Sequence, residues 1–337
     1  MGLKISEIVP KKAISFSDLK GKTLAVDAFN TIYQFLSTIR QPDGTPLMDN
    51  KKRITSHLSG LFYRNINLLR EGLKLVYVFD GQAPKLKTGT WERRTQAKEN
   101  AFEKYEQAKK KEDIEGMGKY AKQLATLDEE KIKESKELLE AMGIMIVQAP
   151  GEGEAQAAYL SQKKDVYACA SQDYDSLLFG APLLVQNLTL ARKRKTVSGY
   201  VSIEPEIIEL EKVLNSLQIN LDQLICLGIL VGTDYNPGGV KGIGPKKALG
   251  IVRARKAPSL IFKQVEPELD FNWQEIFELF NKPDVAKGIK IKFPKFDEDK
   301  VKQILLEHDF SEERIDSALA KLNEAKEKGK QKTLFTF

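Results

Sequence analysis

Residues 23–27 read TLAVD, residues 75–80 LVYVFD, residues 144–151 IMIVQAPG and residues 166–172 VYACASQ, and these four runs decide the fold. Each is short and apolar with little alternation, as strands buried on both faces of a parallel sheet are. The reading gives strands over Leu24–Ala28, Leu75–Phe79, Ile144–Gln148 and Val166–Ser171, with a fifth over Leu183–Gln186. Stretches of helical composition separate them. The expected class is therefore α/β, a mostly parallel central sheet flanked by helices.

Outward from these runs, Trp91–Met142 has a different character. No proline occurs between Pro84 and Pro150, and Lys, Glu, Gln and Ala dominate, which predicts a helical insertion rather than more sheet. Residues 85–122 hold eleven Lys/Arg against seven Asp/Glu, which on charge alone reads as a solvated helical face. Beyond Leu221 the chain turns helical again, and Pro258 to about Lys328 reads as a helical tail. The last seven residues, QKTLFTF, follow a Lys/Gly-rich stretch and are expected outside the core.

The chain has 337 residues, 42% hydrophobic and 30% charged, with a net charge of +6, which suits a soluble globular protein with a real core. No apolar run approaches the length of a membrane span. The two cysteines, Cys169 and Cys226, lie in apolar runs and read as small buried thiols, too few for a structural zinc site. With only His57 and His308 available, hydrolytic chemistry has to run on carboxylates, lysines or metal.

The acids supply the first candidate site. Asp27 closes TLAVD and Asp80 closes LVYVFD; Glu152 and Glu154 follow IMIVQAPG, Asp173 and Asp175 follow VYACASQ, and Asp234 ends LICLGILVGTD. Any one pair means little, since chance supplies about six or seven i, i+2 acid pairs here. All seven, however, sit where a strand or helix leaves an apolar run, and in open α/β sheets the crevice lies outside the carboxyl ends of the strands. So many carboxylates together would raise one another's pKa values unless cations relieved them. Mg²⁺ prefers oxygen ligands, and a two-ion site can activate water and neutralise the leaving oxygen of a phosphodiester. Pro150, Gly151 and Gly153 predict an extended or turn segment in which Glu152 and Glu154 share a face.

Two basic elements accompany the acids. Lys87 and Arg94 lie seven apart, so a helix starting near Lys87 puts both on one face, in reach of a scissile phosphate beside Asp80; otherwise they are two solvated charges. Residues 241–256, KGIGPKKALGIVRARK, carry six basic residues and no acid. The Gly242–Lys247 turn opens a helix whose N–H groups could cradle a phosphate, with Lys246 and Lys247 adding charge. Arg192–Lys195 is a further basic run, read as a surface loop.

Together, VDAFNTIYQFL, YVFDGQAPKLK, APGEGEAQAAYL, SQDYDSLLFG, LVGTDYNPGGVKGIGPKKA and FSEERI resemble, in order and spacing, the flap endonucleases of the structure-specific 5′-nuclease superfamily. The resemblance covers nearly the whole chain. It implies a two-Mg²⁺ site, with Mn²⁺ as a substitute, held by Asp27, Asp80, Glu152, Glu154, Asp173, Asp175 and Asp234. It makes Lys87 and Arg94 the phosphate-steering pair and Tyr33 the aromatic that stacks on a base. Gly2, Arg40, Arg64, Glu152, Gly232 and Asp234 become DNA contacts, with Gly242, Gly244, Lys246 and Lys247 in a helix–hairpin–helix-type turn that binds K⁺. The 91–142 insertion resembles the family's gateway and cap.

The implied organisation is a nuclease region over 1–98, a linker and cap over 99–115, an internal nuclease region over 116–258, a helical region over 259–329 and a tail over 330–337. That tail resembles the sliding-clamp (PCNA) peptide, anchored by Gln331, Leu334 and Phe337. The family's peptide usually ends in two adjacent aromatics, and here the sequence stops at the first. The resemblance is to the archaeal type and implies a monomeric intracellular enzyme, in the cytoplasm or nucleoid, acting on branched 5′-flap DNA. Rival readings are a gap or bubble endonuclease, a plain 5′ exonuclease, a non-catalytic branched-DNA binder and a metal-dependent phosphatase.

Overall fold

The computed structural model describes residues 3–82, 88–188, 193–196, 199–202 and 204–334, with side chains assigned outside 83–94, 189–203 and 329–337. Among the described residues, nine strands run in chain order as β1 (Lys12–Ala13), β2 (Thr23–Asp27), β3 (Lys74–Phe79), β4 (Met145–Gln148), β5 (Ala168–Ala170), β6 (Leu183–Gln186), β7 (Lys193–Thr196), β8 (Gly199–Ser202) and β9 (Glu206–Glu209). Seven form one sheet in the order β1-β9-β6-β5-β2-β3-β4. The β6-β5-β2-β3-β4 block is parallel, while β9 and β1 extend it antiparallel beyond β6.

The five expected strands are all present, within two residues at either end. Their unbroken apolar character has the anticipated cause. Leu24 and Val26 of β2 enter one buried cluster while Ala25 enters the other; Leu75, Tyr77 and Phe79 of β3 part in the same way from Val76 and Val78. With both faces covered, the interior positions are apolar or carry a satisfied polar group. The buried Tyr77 satisfies its hydroxyl by donating to Asn65 Oδ1 at 2.9 Å.

One expectation fails at the basic run 192–195. Lys193–Thr196 is a strand, β7, paired antiparallel with β8. Lys and Arg carry little strand signal of their own, and the pairing comes from the partner Gly199–Ser202, with its Tyr200 and Val201.

The insertion is helical as expected, as Thr88–Lys110, Ile114–Ala121 and Glu129–Ala141. Asp113 caps the second of these by accepting from Gly116 N at 2.9 Å. The last helix, Glu312–Leu334, runs further than the sequence suggested. Residues 331–334, expected outside the core, continue the helical backbone, carried by the Lys/Glu/Ala composition upstream. Among the described residues, no single helix is long and apolar enough to cross a membrane.

The chain steps from β2 to β3 to β4 on one side, then returns to lay β5 and β6 on the other side of β2. The strand order therefore reverses between β2 and β5, and a crevice opens there at the carboxyl ends.

Candidate active site

Asp27 ends β2 and caps the helix Ala28–Thr38, its Oδ1 accepting from Asn30 N at 3.0 Å. The same residue thus closes a strand, starts a helix and stands at the switch point. Asp80 follows β3, and its Oδ1 accepts from Gly153 N at 2.7 Å. This bond joins the exits of β3 and β4. Gly81 N donates to Gly151 O at 2.7 Å, and a Cβ on Gly81 would meet the Ala149 and Pro150 carbonyls at 2.2 Å. Only glycine fits between the two exits.

Glu152 and Glu154 occupy a helix start rather than a turn alone. Glu152 is the extended N-cap residue of the helix Gly153–Gln162, and Glu154 lies in its first turn. The glycines and Pro150 bring the chain to the cap; the Ala-rich stretch behind them then continues as helix.

Asp173 follows β5. Its Oδ1 accepts from Tyr174 N at 2.7 Å and Leu3 N at 3.1 Å, which brings the start of the described chain to the acids. Asp175 opens the helix Asp175–Leu178 and is buried. Asp234 lies in the turn after the helix Leu221–Val231. Asn236 Oδ1 shapes that turn, accepting from Thr233 N at 3.1 Å and Thr233 Oγ1 at 2.8 Å.

The electrostatics show these acids converging. Burial pushes the Glu154 pKa well above the usual carboxylate range, and the charges of Asp173, Asp27, Asp175 and Glu152 push it the same way. Burial and then Asp234 raise Asp173, against the pull of its backbone hydrogen bonds. Asp80 joins through Gly153, which lies between the two glutamates. Such a cluster strains against ionisation and calls for cations. Among the described residues, no three His, Cys, Asp or Glu side chains form a ready-made metal cage. Mg²⁺ keeps several waters and takes only one or two carboxylates directly, so a spaced ring of acids fits it.

Three supporting residues, Gln148, Ser171 and Tyr235, have no role in the sequence reading, and a fourth, Gly153, enters it only as a turn former. Gly153 donates to Asp80, and a Cβ there would lie 2.6 Å from Asp80 Oδ1. Gln148 Nε2 donates to Asp80 O at 2.7 Å while its Oε1 accepts from Lys136 Nζ at 2.8 Å. Ser171 Oγ donates to Glu154 Oε1 at 2.9 Å. Tyr235 is buried against Phe280, ring centroids 5.4 Å apart. Burial, and after it the Glu152 carboxylate, raises the Tyr235 pKa and keeps its phenol protonated. Gly153, Ser171 and Tyr235 lie within two residues of an acid named above, whereas Gln148 meets Asp80 across 68 residues and the sequence carries no signal for it.

The other predicted residues have mixed placements. Tyr33 is exposed, with Lys98 Nζ 3.4 Å from its hydroxyl, so the insertion reaches the helix that Asp27 begins. Arg40 donates to Leu36 O at 2.9 Å and Gly44 O at 2.8 Å, which ties its guanidinium to its own loop. Arg64 donates to Leu188 O at 2.8 Å and Gln34 Oε1 at 3.3 Å, beside a crevice also lined by Ser171. Gly232 has φ +111°, and a Cβ there would meet Gly239 N at 2.6 Å, so backbone packing alone demands glycine.

Gly242 has φ +76°, and Gly244 caps the helix Pro245–Ala254. Lys246 lies 3.7 Å from Glu7, and Lys247 donates to Gly242 O at 3.4 Å. Gly2, Lys87 and Phe337 lie outside the described residues, as do the side chains of Arg94, Gln331 and Leu334. Both cysteines are buried free thiols as expected, with Cys226 pushed up to about 12 by burial.

The XPG N-terminal domain model matches residues 3–101 and the XPG I-region model residues 143–234, and between them they contain all seven acids. Flap endonuclease 1 of Pyrococcus furiosus is 54% identical over 99% of this chain and 98% of its own length. The chain belongs to the flap endonuclease family. Flap endonuclease 1 of Thermococcus onnurineus is 52% identical over the same shares. Among solved structures, flap endonuclease-1 from Methanococcus jannaschii is 42% identical with a TM-score of 0.76, covering 96% of this chain and 98% of that one. The catalytic core of Rad2 in complex with DNA substrate is 24% identical over 96% of this chain and all of that one, with a TM-score of 0.71, a likeness of fold alone.

Proposed function

We propose that this flap endonuclease family member is a structure-specific 5′-flap endonuclease with 5′-3′ exonuclease activity, serving Okazaki fragment maturation and DNA repair. The observation that carries the reading is the convergence of carboxylates from β2, β3, β5, the helix Gly153–Gln162 and the 232–236 turn on one crevice. In this reading Asp27, Asp80, Glu152, Glu154, Asp173, Asp175 and Asp234 hold two Mg²⁺, with Mn²⁺ able to replace them. Bound there, the ions would supply a nucleophilic water and neutralise charge on the leaving oxygen. Gly153 and Gln148 orient Asp80, Ser171 orients Glu154, and Tyr235 stands against Glu152.

Lys87 and Arg94 are assigned to the scissile phosphate, Tyr33 to a base beside the cut, and Gly2, Arg40, Arg64 and Gly232 to further DNA contacts. For Arg40 and Arg64 this requires exchanging the carbonyl bonds described above for phosphate. The Gly242–Lys247 turn is assigned to the duplex backbone with K⁺. The 330–337 tail is assigned to the sliding clamp. The five-region organisation given by the sequence, a monomeric state and an intracellular location in the cytoplasm or nucleoid belong to the same reading.

The test is incubation with Mg²⁺ and single-flap, double-flap, nicked, gapped and bubble DNAs, alongside Asp80→Ala and Asp173→Ala. Cleavage near the flap junction by the wild type, lost at least about 10³-fold (about 4 kcal/mol) in both variants with flap binding kept, is the expected result. Preference for bubbles or gaps would favour the related endonucleases. Binding of flaps without cleavage would leave a branched-DNA-binding protein.

A further inference from the structure

Between the helices Trp273–Asn281 and Glu298–Leu306 the chain crosses 282–297 with neither helix nor ladder pairing. Its course is nevertheless fixed. Asp284 packs against Gly151, with its carbonyl 3.3 Å from the position of a Gly151 Cβ. Ala286 exchanges two hydrogen bonds with the buried Gln156, at 2.7 and 3.1 Å. Lys292 N approaches Met145 Sδ at 3.2 Å, and Asp297 N donates to Ala141 O at 2.8 Å. The segment is therefore a strap laid along the sheet edge at β4, starting beside Glu152 and ending where β4 begins. It shields an edge strand that would otherwise offer unpaired backbone.

Its side chains divide cleanly. Val285, Ile289, Ile291 and Phe293 pack on one core cluster and Phe296 on the other. Lys287, Lys290, Lys292 and Lys295 are exposed. Residues 282–297 hold five lysines and two acids, Asp284 at the head and Asp297, which caps the next helix. Lys282 pairs with Glu278 at 2.8 Å, whereas among the described residues the other four have no carboxylate within salt-bridge distance. Shielding an edge needs only an occasional charge. A single-sign row spread over at most about 28 Å of chain exceeds that need and matches a linear polyanion. The strap abuts Gly151, one residue from Glu152, through Asp284, and the lysine row begins three residues further on at Lys287, so a strand leaving the carboxylate crevice on the β4 side reaches the row after passing Asp284.

We propose that Lys287, Lys290, Lys292 and Lys295 form a track for the phosphate backbone of the single-stranded flap beyond the cut. This rests on the flap reading above and names where the released strand is held. Long flaps gain affinity from the track; flaps too short to reach it do not.

The test is equilibrium binding of the full chain, with divalent ions withheld to prevent cleavage, to flap DNAs with tails of about 2 and about 20 nucleotides. The variant carries Lys287→Gln, Lys290→Gln, Lys292→Gln and Lys295→Gln, and unfolding curves check that it is folded. The expected result is a Kd about tenfold higher for the long flap and a salt slope flatter by about 3, since each phosphate contact to a single strand contributes about 0.7. The short flap should change by less than about twofold.

Equal losses on both substrates would place the row against duplex and overturn the proposal. No loss on either would leave the lysines as solvated edge protection and overturn it too. Failure of the wild type to cut any flap with Mg²⁺ would instead refute the functional reading, a separate measurement from these affinities.

Discussion

Replacing Gly153 with Ala adds one methyl group at the point where the exits of β3 and β4 touch. The new Cβ would stand 2.6 Å from Asp80 Oδ1 and 3.1 Å from Val78 O. Relief requires the carboxylate to retreat by about 0.4 to 0.8 Å, the distance to the 3.0–3.4 Å range of tight contacts. That retreat stretches the 2.7 Å bond from Gly153 N, a charge-assisted contact of about 1.5–3 kcal/mol. A misplacement approaching 1 Å costs up to about 10²-fold in rate. We therefore expect single-turnover flap cleavage to fall about 10- to 100-fold, with the Mg²⁺ midpoint displaced upward. Stability should move little. Gly153 opens a helix, where Ala is favoured over Gly by up to about 1 kcal/mol, which offsets part of the crowding. Cleavage across a Mg²⁺ titration, with thermal unfolding in parallel, separates the two. Wild-type rates at every Mg²⁺ concentration would refute the idea that the backbone at Gly153 sets Asp80.

Glu154→Gln should raise the Tm of the metal-free protein at neutral pH while abolishing cleavage, because it removes a charge that burial and four neighbouring acids oppose and still accepts from Ser171. At about 2 °C per kcal/mol for a large domain, differential scanning would show the gain as a few degrees, and an unchanged or lower Tm would count against a repulsive cluster. Burial, opposed by Glu134 and Asp49 and assisted by Arg53, holds the His308 pKa below its ordinary 6.5. The folded state thus takes up its proton later than the unfolded state, so this residue's stability contribution is present above about pH 6.5 and lost as pH falls through the folded pKa. Wild type should lose more Tm between pH 7.5 and 5 than His308→Gln does, and parallel profiles would exclude His308 as the cause. Truncation after Lys330 should leave cleavage of free flap DNA intact and abolish stimulation by the cognate clamp, measured alongside calorimetric affinity; stimulation that survives truncation places the docking site elsewhere.

The parallel strands were legible because burial on both faces makes their interior positions apolar in unbroken runs, as Leu24–Val26 of β2 and Leu75–Phe79 of β3 show. The edge strands were not. β1 has two residues and β9 two apolar ones, too few for any periodicity, while β7 consists of Lys, Arg, Lys and Thr and becomes a strand only through its partner. The acids were legible for a related reason, since each ends an apolar run and so declares a strand or helix exit. The groups that orient them were not. Gly153, Gln148 and Ser171 act through contacts with Asp80 and Glu154 at 73, 68 and 17 residues' separation, and no local pattern encodes such distances. The strap was likewise hidden inside a tail read as helical, because alternation of Ile, Lys and Phe over so few residues resembles any surface segment.

The order in which the chain supplies its acids bears on how the site is assembled. Asp27 and Asp80 come from neighbouring strands on one side of the switch point, Asp173 and Asp175 from the other side, and Asp234 from a turn outside the sheet. No local segment contributes more than two. In the unfolded chain these charges are exposed and far apart, so the burial and then the repulsion that raise Glu154 and Asp173 exist only once the sheet has formed. On the proposed reading, folding and cation binding would be coupled, because a divalent ion entering the crevice would remove a cost particular to the native state. The same coupling explains the backbone N–H groups at Gly153, Tyr174, Leu3 and Asn30, which point at Asp80, Asp173 and Asp27. They fix carboxylates that would otherwise swing apart and so hold the shape of the crevice.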